Sequence, residues 1–124
     1  MSMSPEKILT IAIPAYNASQ FLPKCLQSLI DSGEMERMEV LIVDDGSKEP
    51  PDKVVQPYID QYPSTIRLLH KENGGHGSVI NTAAEIATGK YLKILDADDW
   101  VASENMPQLL YSLEKLNADV VIAS

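Results

Sequence analysis

The sequence predicts an α/β layer sandwich built on a mainly parallel sheet. Three observations lead there. Short runs rich in Ile and Val alternate with longer segments, and in those segments the apolar period switches to that of a helix. Strand–helix alternation of this kind implies parallel strands joined by right-handed crossovers. The polar clusters also gather just after the apolar runs, at the carboxyl ends of strands, where open α/β sheets bind their ligands.

Residues 8–14 (ILTIAIP) form the first predicted strand, with turn residues behind it. Leu22, Cys25, Leu26, Leu29 and Ile30 then follow the i, i+3, i+4, i+7, i+8 spacing of one helix face, and Ser32-Gly33 supplies the stop. The second strand, residues 40–43 (VLIV), ends at Asp44-Asp45-Gly46. A second helix begins near Pro51 with Val54, Val55 and Tyr58 inward, and residues 66–69 form a third, weaker strand. The third helix covers residues 78–88, with Ile80, Ala83, Ala84 and Ala87 on one side and Gly89 as its cap. Residues 91–95 (YLKIL) are the fourth strand. Behind Ser103 as N-cap, a fourth helix places Met106, Leu109, Leu110, Leu113 and Leu116 on one face, and residues 120–123 close the series as a fifth strand.

A chain of 124 residues suffices for one domain with its own core. The formal net charge of -8 argues against nucleic acid as a partner, because phosphate backbones are bound by clustered Lys and Arg. It leaves room for a phosphate-bearing small ligand whose charge is met by a divalent metal. The single cysteine, Cys25, excludes an internal disulfide framework and a cysteine-based zinc site, and its place in the first helix stripe marks it as core. Neither a signal peptide nor a run of transmembrane length is present in the sequence, so the expected location is cytoplasmic, with any membrane segment of a longer protein outside these residues.

Three strand ends carry chemistry. After the fourth strand, Asp96, Asp98 and Asp99 stand within four residues. Carboxylates crowded in a partly buried site repel one another unless a cation joins them, and Mg2+-type ions are held by one or two carboxylates with substrate phosphates. Extended alternation sends Asp96 and Asp98 to one face and Asp99 elsewhere. Taken alone, a solvated acidic turn that starts the next helix accounts for these residues equally well. After the second strand, Asp44-Asp45-Gly46-Ser47 offers a carboxylate to a ring N–H or a ribose hydroxyl, or is simply an Asp-Gly turn. After the first, Pro14-Ala15-Tyr16-Asn17 places an aromatic ring where it stacks on a base or packs on the rim. The stretch Asn73-Gly74-Gly75-His76-Gly77 precedes a helix, so its free N–H groups suit phosphate. It matches neither a dinucleotide fingerprint nor a Walker loop, and a lone loop histidine such as His76 is commonly just solvated.

Order and spacing together match a family. Residues 10–30 (TIAIPAYNASQFLPKCLQSLI), 39–47 (EVLIVDDGS) and 73–100 (NGGHGSVINTAAEIATGKYLKILDADDW) resemble the inverting, nucleotide-sugar-dependent glycosyltransferases of GT-A fold, among them bacterial capsule and exopolysaccharide transferases and cellulose and hyaluronan synthases. The resemblance implies a Rossmann-like three-layer α/β/α sandwich and a place in polysaccharide biosynthesis. Residues 1–124 would form the nucleotide-sugar-binding portion, without the acceptor-binding portion. It implies that Pro14, Ala15 and Tyr16 line the base, that Asp45 recognises it while Asp44 serves structure, and that Asn73, Gly75 and His76 approach the diphosphate. Asp98 would bind Mn2+ or Mg2+, with Asp96 near the ribose or in the metal shell. The partners implied are a nucleotide-sugar donor, with UDP favoured, and a glycan or lipid-linked acceptor.

Two departures qualify the resemblance. Many members carry Ala-Arg-Asn where this chain has Val79-Ile80-Asn81, so a basic contact is missing, with Lys71 or His76 as candidate substitutes. The family's general base is expected downstream of Ser124, so the chain is expected to bind donor yet transfer sugar poorly. Apolar surface and sheet edge left uncovered by the missing portion would favour self-association. Among competing readings is a nucleotide-binding α/β domain without transfer chemistry. A receiver domain would carry its acidic pair after the first strand, and a nucleotidyltransferase would carry a glycine-rich basic loop there. A dinucleotide oxidoreductase would need the glycine fingerprint this chain lacks.

Overall fold

The computed structural model describes residues 7–99, 103–115 and 122–123. The strands are β1 (Leu9–Pro14), β2 (Met38–Asp45), β3 (Ile66–Lys71), β4 (Tyr91–Ile94) and β5 (Ile122–Ala123). Between them run α1 (Leu22–Asp31), α2 (Asp52–Gln61), α3 (His76–Ile86) and α4 (Met106–Lys115), with short 3-10 turns at Met35–Arg37 and Ser103–Asn105. The five strands lie in the order β3-β2-β1-β4-β5, and every neighbouring pair is parallel. All the loops that follow strands therefore open on one rim.

Two apolar layers hold the sheet. On one face Ile11 and Ile13 of β1 and Val40 and Ile42 of β2 pack with Leu22, Cys25, Leu26 and Leu29 of α1, Val55 of α2, and Met106 and Leu110 of α4. Each fully buried aliphatic side chain in such a layer contributes about 1.5–3 kcal/mol. On the other face Ala12, Leu41 and Leu92 meet Ala83 of α3, with Ile86 and Ala87 alongside. Period-two alternation along the strands divides the layers. Among the described residues no helix is long and apolar enough to cross a membrane.

The predicted order of elements is found, with differences at several boundaries. Strand β2 runs from Met38 through Asp45 and is buried along its whole length, because β1 and β3 both pair with it. Strand β3 continues two residues past the apolar run to include His70 and Lys71, which pair with Asp44 and Asp45. Helix α3 starts at His76, earlier than periodicity suggests, and ends before Ala87. Its buried face is accordingly Val79 and Ala83, with Ala84 exposed. On α4, Leu109 is exposed while Met106 and Leu110 are buried. Ser103 opens a 3-10 turn, and α4 itself begins at Met106. Leu116 and positions 120 and 121 lie outside the described residues.

Gly89 is not the cap of α3; it does something else. A polar lock sits beneath the sheet where the chain enters β4. The Glu39 carboxylate, 5% exposed, accepts hydrogen bonds from the Thr10 hydroxyl at 2.9 Å and from the Thr88 N–H at 2.8 Å. Thr10 in turn accepts from the Gly89 N–H at 2.8 Å. A Cβ on residue 89 would stand 2.6 Å from the Thr10 nitrogen and 2.8 Å from the Leu9 carbonyl carbon, both backbone atoms. Gly89→Ala is therefore expected to lower stability by about 1–3 kcal/mol through overpacking. Urea unfolding midpoints measure this directly, and an unchanged midpoint would contradict the close approach.

Candidate functional site

The strand order places a reversal at β1: β2 lies on one side of it and β4 on the other. Ligand crevices in open parallel sheets form at such a switch point, outside the carboxyl ends of the strands. Here the loop after β1 carries Tyr16 and the loop after β4 carries the aspartates. Pro14 is half-buried, Ala15 is buried, and Tyr16 is 49% exposed on the rim. The Ala15 N–H bonds the Val43 carbonyl at 2.9 Å, which extends the ladder and fixes where the ring emerges.

The acidic segment departs from extended geometry. The Leu95 N–H still bonds the Ala12 carbonyl, but the Asp99 N–H then folds back onto the Asp96 carbonyl at 2.9 Å. Leu95 and Ala97 are buried and anchor the segment, so Asp96 and Asp98 project outward together. Asp99 does not point elsewhere, as alternation suggested. The turn brings it round, and one carboxylate oxygen from each of Asp96, Asp98 and Asp99 lies within 4.8 Å of the others. Neighbouring oxygens on one octahedral ion at about 2.0–2.1 Å stand about 3 Å apart, and opposite ones about 4 Å. Drawn closer together, the three carboxylates could hold a divalent cation. Beneath them Cys25 is a core thiol, its pKa pushed up to about 12 by burial first and then by Asp99 and Asp98. Buried in the core, it favours the protonated form.

Asp44 and Asp45 receive the opposite treatment. Both are buried, at 3% and 5% exposure. As neighbours on a strand they face opposite sides of the sheet. Asp45 Oδ1 accepts from Lys71 Nζ at 3.0 Å and from the Gly74 N–H at 2.9 Å, and Oδ2 accepts from the Gly75 N–H at 3.0 Å. Burial disfavours its charge, yet the bonds from Gly74, Lys71 and Gly75 outweigh burial and hold the carboxyl below its ordinary range. A carboxylate has about four acceptor positions, so one remains open, on Oδ2. The glycine-loop N–H groups expected to be free for phosphate are thus occupied at Gly74 and Gly75, because a buried carboxylate must be satisfied first. Asn73 Nδ2 adds a bond to the Asp45 carbonyl at 3.0 Å.

Asp44 Oδ1 accepts the Ser47 N–H at 2.9 Å, and its Oδ2 lies 2.9 Å from His70 Nδ1. Burial again works against the charge, and hydrogen bonding from Ser47 and then His70 lowers the pKa overall. Ser47 Oγ donates to the Ala15 carbonyl at 3.0 Å and accepts the Asn17 N–H at 2.8 Å. Asn17, at φ +50°, accepts the Lys48 N–H on its Oδ1 at 3.0 Å. Asparagine tolerates this left-handed geometry better than most residues. At Gly46, φ is +77° and a Cβ would lie 2.8 Å from the Asn73 nitrogen, so only glycine lets the loops after β2 and β3 come this close.

The structure thus brings Pro14, Ala15, Tyr16, Asp44, Asp45, Asn73, Gly75, Asp96 and Asp98 to one rim of the sheet. His76 is not a loop residue; it opens α3, and its side chain lies outside the described residues. Lys71, a candidate substitute for the missing arginine, donates from its ammonium to Asp45 Oδ1 and to the Glu72 carbonyl. Sequence reasoning missed His70 and the tying role of Ser47. The signal was present: a His-Lys pair ends β3 as an Asp-Asp pair ends the strand beside it. Two clefts flank the loops after β1 and β2. One of about 440 Å³ is lined by Asn17, Ser19, Gln20, Lys48 and Glu49. A larger one extends to Asp52, Lys53 and His70.

The sequence profile of glycosyl transferase family 2 matches residues 10–124. An uncharacterized glycosyltransferase of Mycoplasma pneumoniae (the MG025 homolog) is 44% identical over 101 residues, covering 79% of this chain and 33% of the relative. The chain spans about a third of the length of the curated relatives it matches. Among solved structures, S. aureus TarS 1–349 in complex with UDP superimposes with a TM-score of 0.78 at 22% identity, over 87% of this chain and 32% of that one. The mannosyltransferase PcManGT from Pyrobaculum calidifontis, in complex with GDP-Man and Mn2+, does so with a TM-score of 0.75 at 24% identity, over 89% of this chain and 32% of that one. These likenesses show a shared GT-A-type, Rossmann-like α/β fold. By the match across nearly its whole length, the chain belongs to glycosyl transferase family 2.

Proposed function

We propose that this chain is the donor-binding portion of a metal-assisted, inverting glycosyltransferase. Its donor is a nucleoside-diphosphate sugar, with UDP the favoured nucleotide, and its acceptor is a glycan or lipid-linked hydroxyl in polysaccharide biosynthesis. The observation that carries the reading is the pairing of Tyr16 and the Asp96–Asp98–Asp99 cluster across the switch point between β1 and β4. One side offers a flat face to a base, the other a seat for a cation that meets phosphate. The known relatives that bind UDP or GDP-Man on the same fold support it. A cytoplasmic site of action belongs to the same proposal.

The residues divide the work by chemistry. Tyr16, exposed and anchored by buried Ala15, stacks on the base. Asp45 accepts a ring N–H at the one position its three donors leave open. Asn73 and Gly75 shape the loop over it, and His76 lies at the start of α3, where helix N–H groups favour a diphosphate. Asp98 and Asp96, joined by Asp99, hold the divalent ion. The chemistry supplied by bound Mn2+ or Mg2+ is neutralisation of the charge that builds on the departing nucleoside diphosphate. Asp44 serves structure. The base that deprotonates the acceptor is proposed to lie downstream of Ser124.

Calorimetric titration of UDP into the chain, with and without Mn2+, tests the reading. Metal-dependent binding that Asp98→Asn abolishes is the expected result, and the same titration showing no nucleotide binding with or without metal would remove the donor-site assignment. At free ligand near 100 times Kd, the linkage raises stability by about 2.7 kcal/mol, visible as a higher Tm. Tyr16→Ala is expected to weaken UDP about 5- to 150-fold, since base–aromatic stacking is worth about 1–3 kcal/mol. Unchanged affinity in that variant would take Tyr16 out of the base site.

A further inference from the structure

The His70 ring sits between two carboxylates. Its Nδ1 is 2.9 Å from Asp44 Oδ2 and its Nε2 is 3.1 Å from Asp52 Oδ2 at the first turn of α2. Ionised carboxylates only accept, whereas a neutral imidazole has one donor and one acceptor nitrogen. Both contacts are satisfied together only when the ring is an imidazolium. Loss of the proton sets one ring nitrogen lone pair against a carboxylate oxygen, and that contact must open.

Asp44 is also the hub of the loop ties. Its other oxygen takes the Ser47 N–H, and Ser47 holds both the Ala15 carbonyl and the Asn17 N–H. Tyr16 lies between those two residues. We infer that His70 is a positioning residue: as an imidazolium it clamps Asp44 and the start of α2, and through Ser47 it fixes the loop that presents Tyr16 to the donor base. This inference rests on the donor-site reading for its ligand, but the clamp itself is a property of the free protein.

The charges in contact with the His70 ring are Asp44 from β2 and Asp52 from α2, while Lys48, Glu49 and Lys53 line the cleft it borders. Asp44 first and Asp52 second raise the ring's pKa above its ordinary value, against a smaller opposing effect of burial. The sign follows. The clamp is fully present below the ordinary histidine value of about 6.5 and is lost as pH rises through the higher folded value.

Two measurements on the chain test it. The first is an NMR titration of the His70 ring together with the backbone amides of Ser47 and Asn17. The expected result is one shared midpoint above the ordinary histidine value, which moves down toward that value in Asp52→Asn. The second is UDP affinity in Mg2+ across the same pH range for the wild-type chain and His70→Gln. The ratio of the two affinities removes the titration of UDP itself, and it is expected to fall severalfold as pH rises through the His70 midpoint. Ser47 and Asn17 amides that stay flat while His70 titrates would overturn the inference, as would a pH-independent affinity ratio. If UDP binds at no pH, the donor-site reading fails, and the amide titration still decides whether His70 holds the loop.

Discussion

Two adjacent carboxylates buried at the end of a central strand organise this rim. Asp44 and Asp45 close β2, which is flanked by β1 and β3, so neither side chain escapes to water along the sheet. An unpaired buried charge costs several kcal/mol, so each carboxylate has to recruit donors. Alternation sends them to opposite faces, and each collects its donors from a different loop. Asp45 gathers the glycine stretch and Lys71; Asp44 gathers Ser47 and His70. Through these contacts the loops after β1, β2 and β3 become one unit with few independent freedoms.

The rim therefore holds two acidic groups with opposite physics. The buried pair takes most of its hydrogen bonds from the protein and holds the loops around it, with one Asp45 acceptor position left open. The Asp96–Asp98–Asp99 group is exposed and brought together by a turn, with buried Leu95 and Ala97 as its footing. An acidic cluster left facing outward beside a switch-point crevice is suited to a cation that arrives with its ligand. That contrast, more than the count of aspartates, distinguishes the part of the site that positions from the part proposed to bind.

Much of this was legible in the sequence because strand ends in a parallel sheet converge by topology alone. The order of the runs was enough to bring residues 14–17, 44–47 and 96–99 to one rim. Periodicity was less informative where a turn interrupts it: Asp99 joins its neighbours because residues 96–99 fold back, which alternation along an extended chain does not foresee. The helix face of α3 rotated for a similar reason, since its start at His76 is set by the loop and not by the apolar pattern. His70 escaped notice because the apolar run of the third strand stops at residue 69, so the match of its His-Lys end to the Asp-Asp pair shows only once the two strands are set in register. Gly89 looked like a helix cap and is instead a point of close backbone approach to Thr10.

The most direct measurement of the organising role of the buried pair is amide hydrogen exchange at Gly74 and Gly75 in the wild-type chain and in Asp45→Asn. Replacing one carboxylate oxygen by an amide nitrogen removes an acceptor from a cradle that has three donors. The account predicts a clear loss of protection at one or both glycine amides while the amides of β1 and β2 keep theirs. Equal protection in the two proteins would mean that the loop holds its shape without the carboxylate, and that the buried acids follow the architecture of the rim and do not set it.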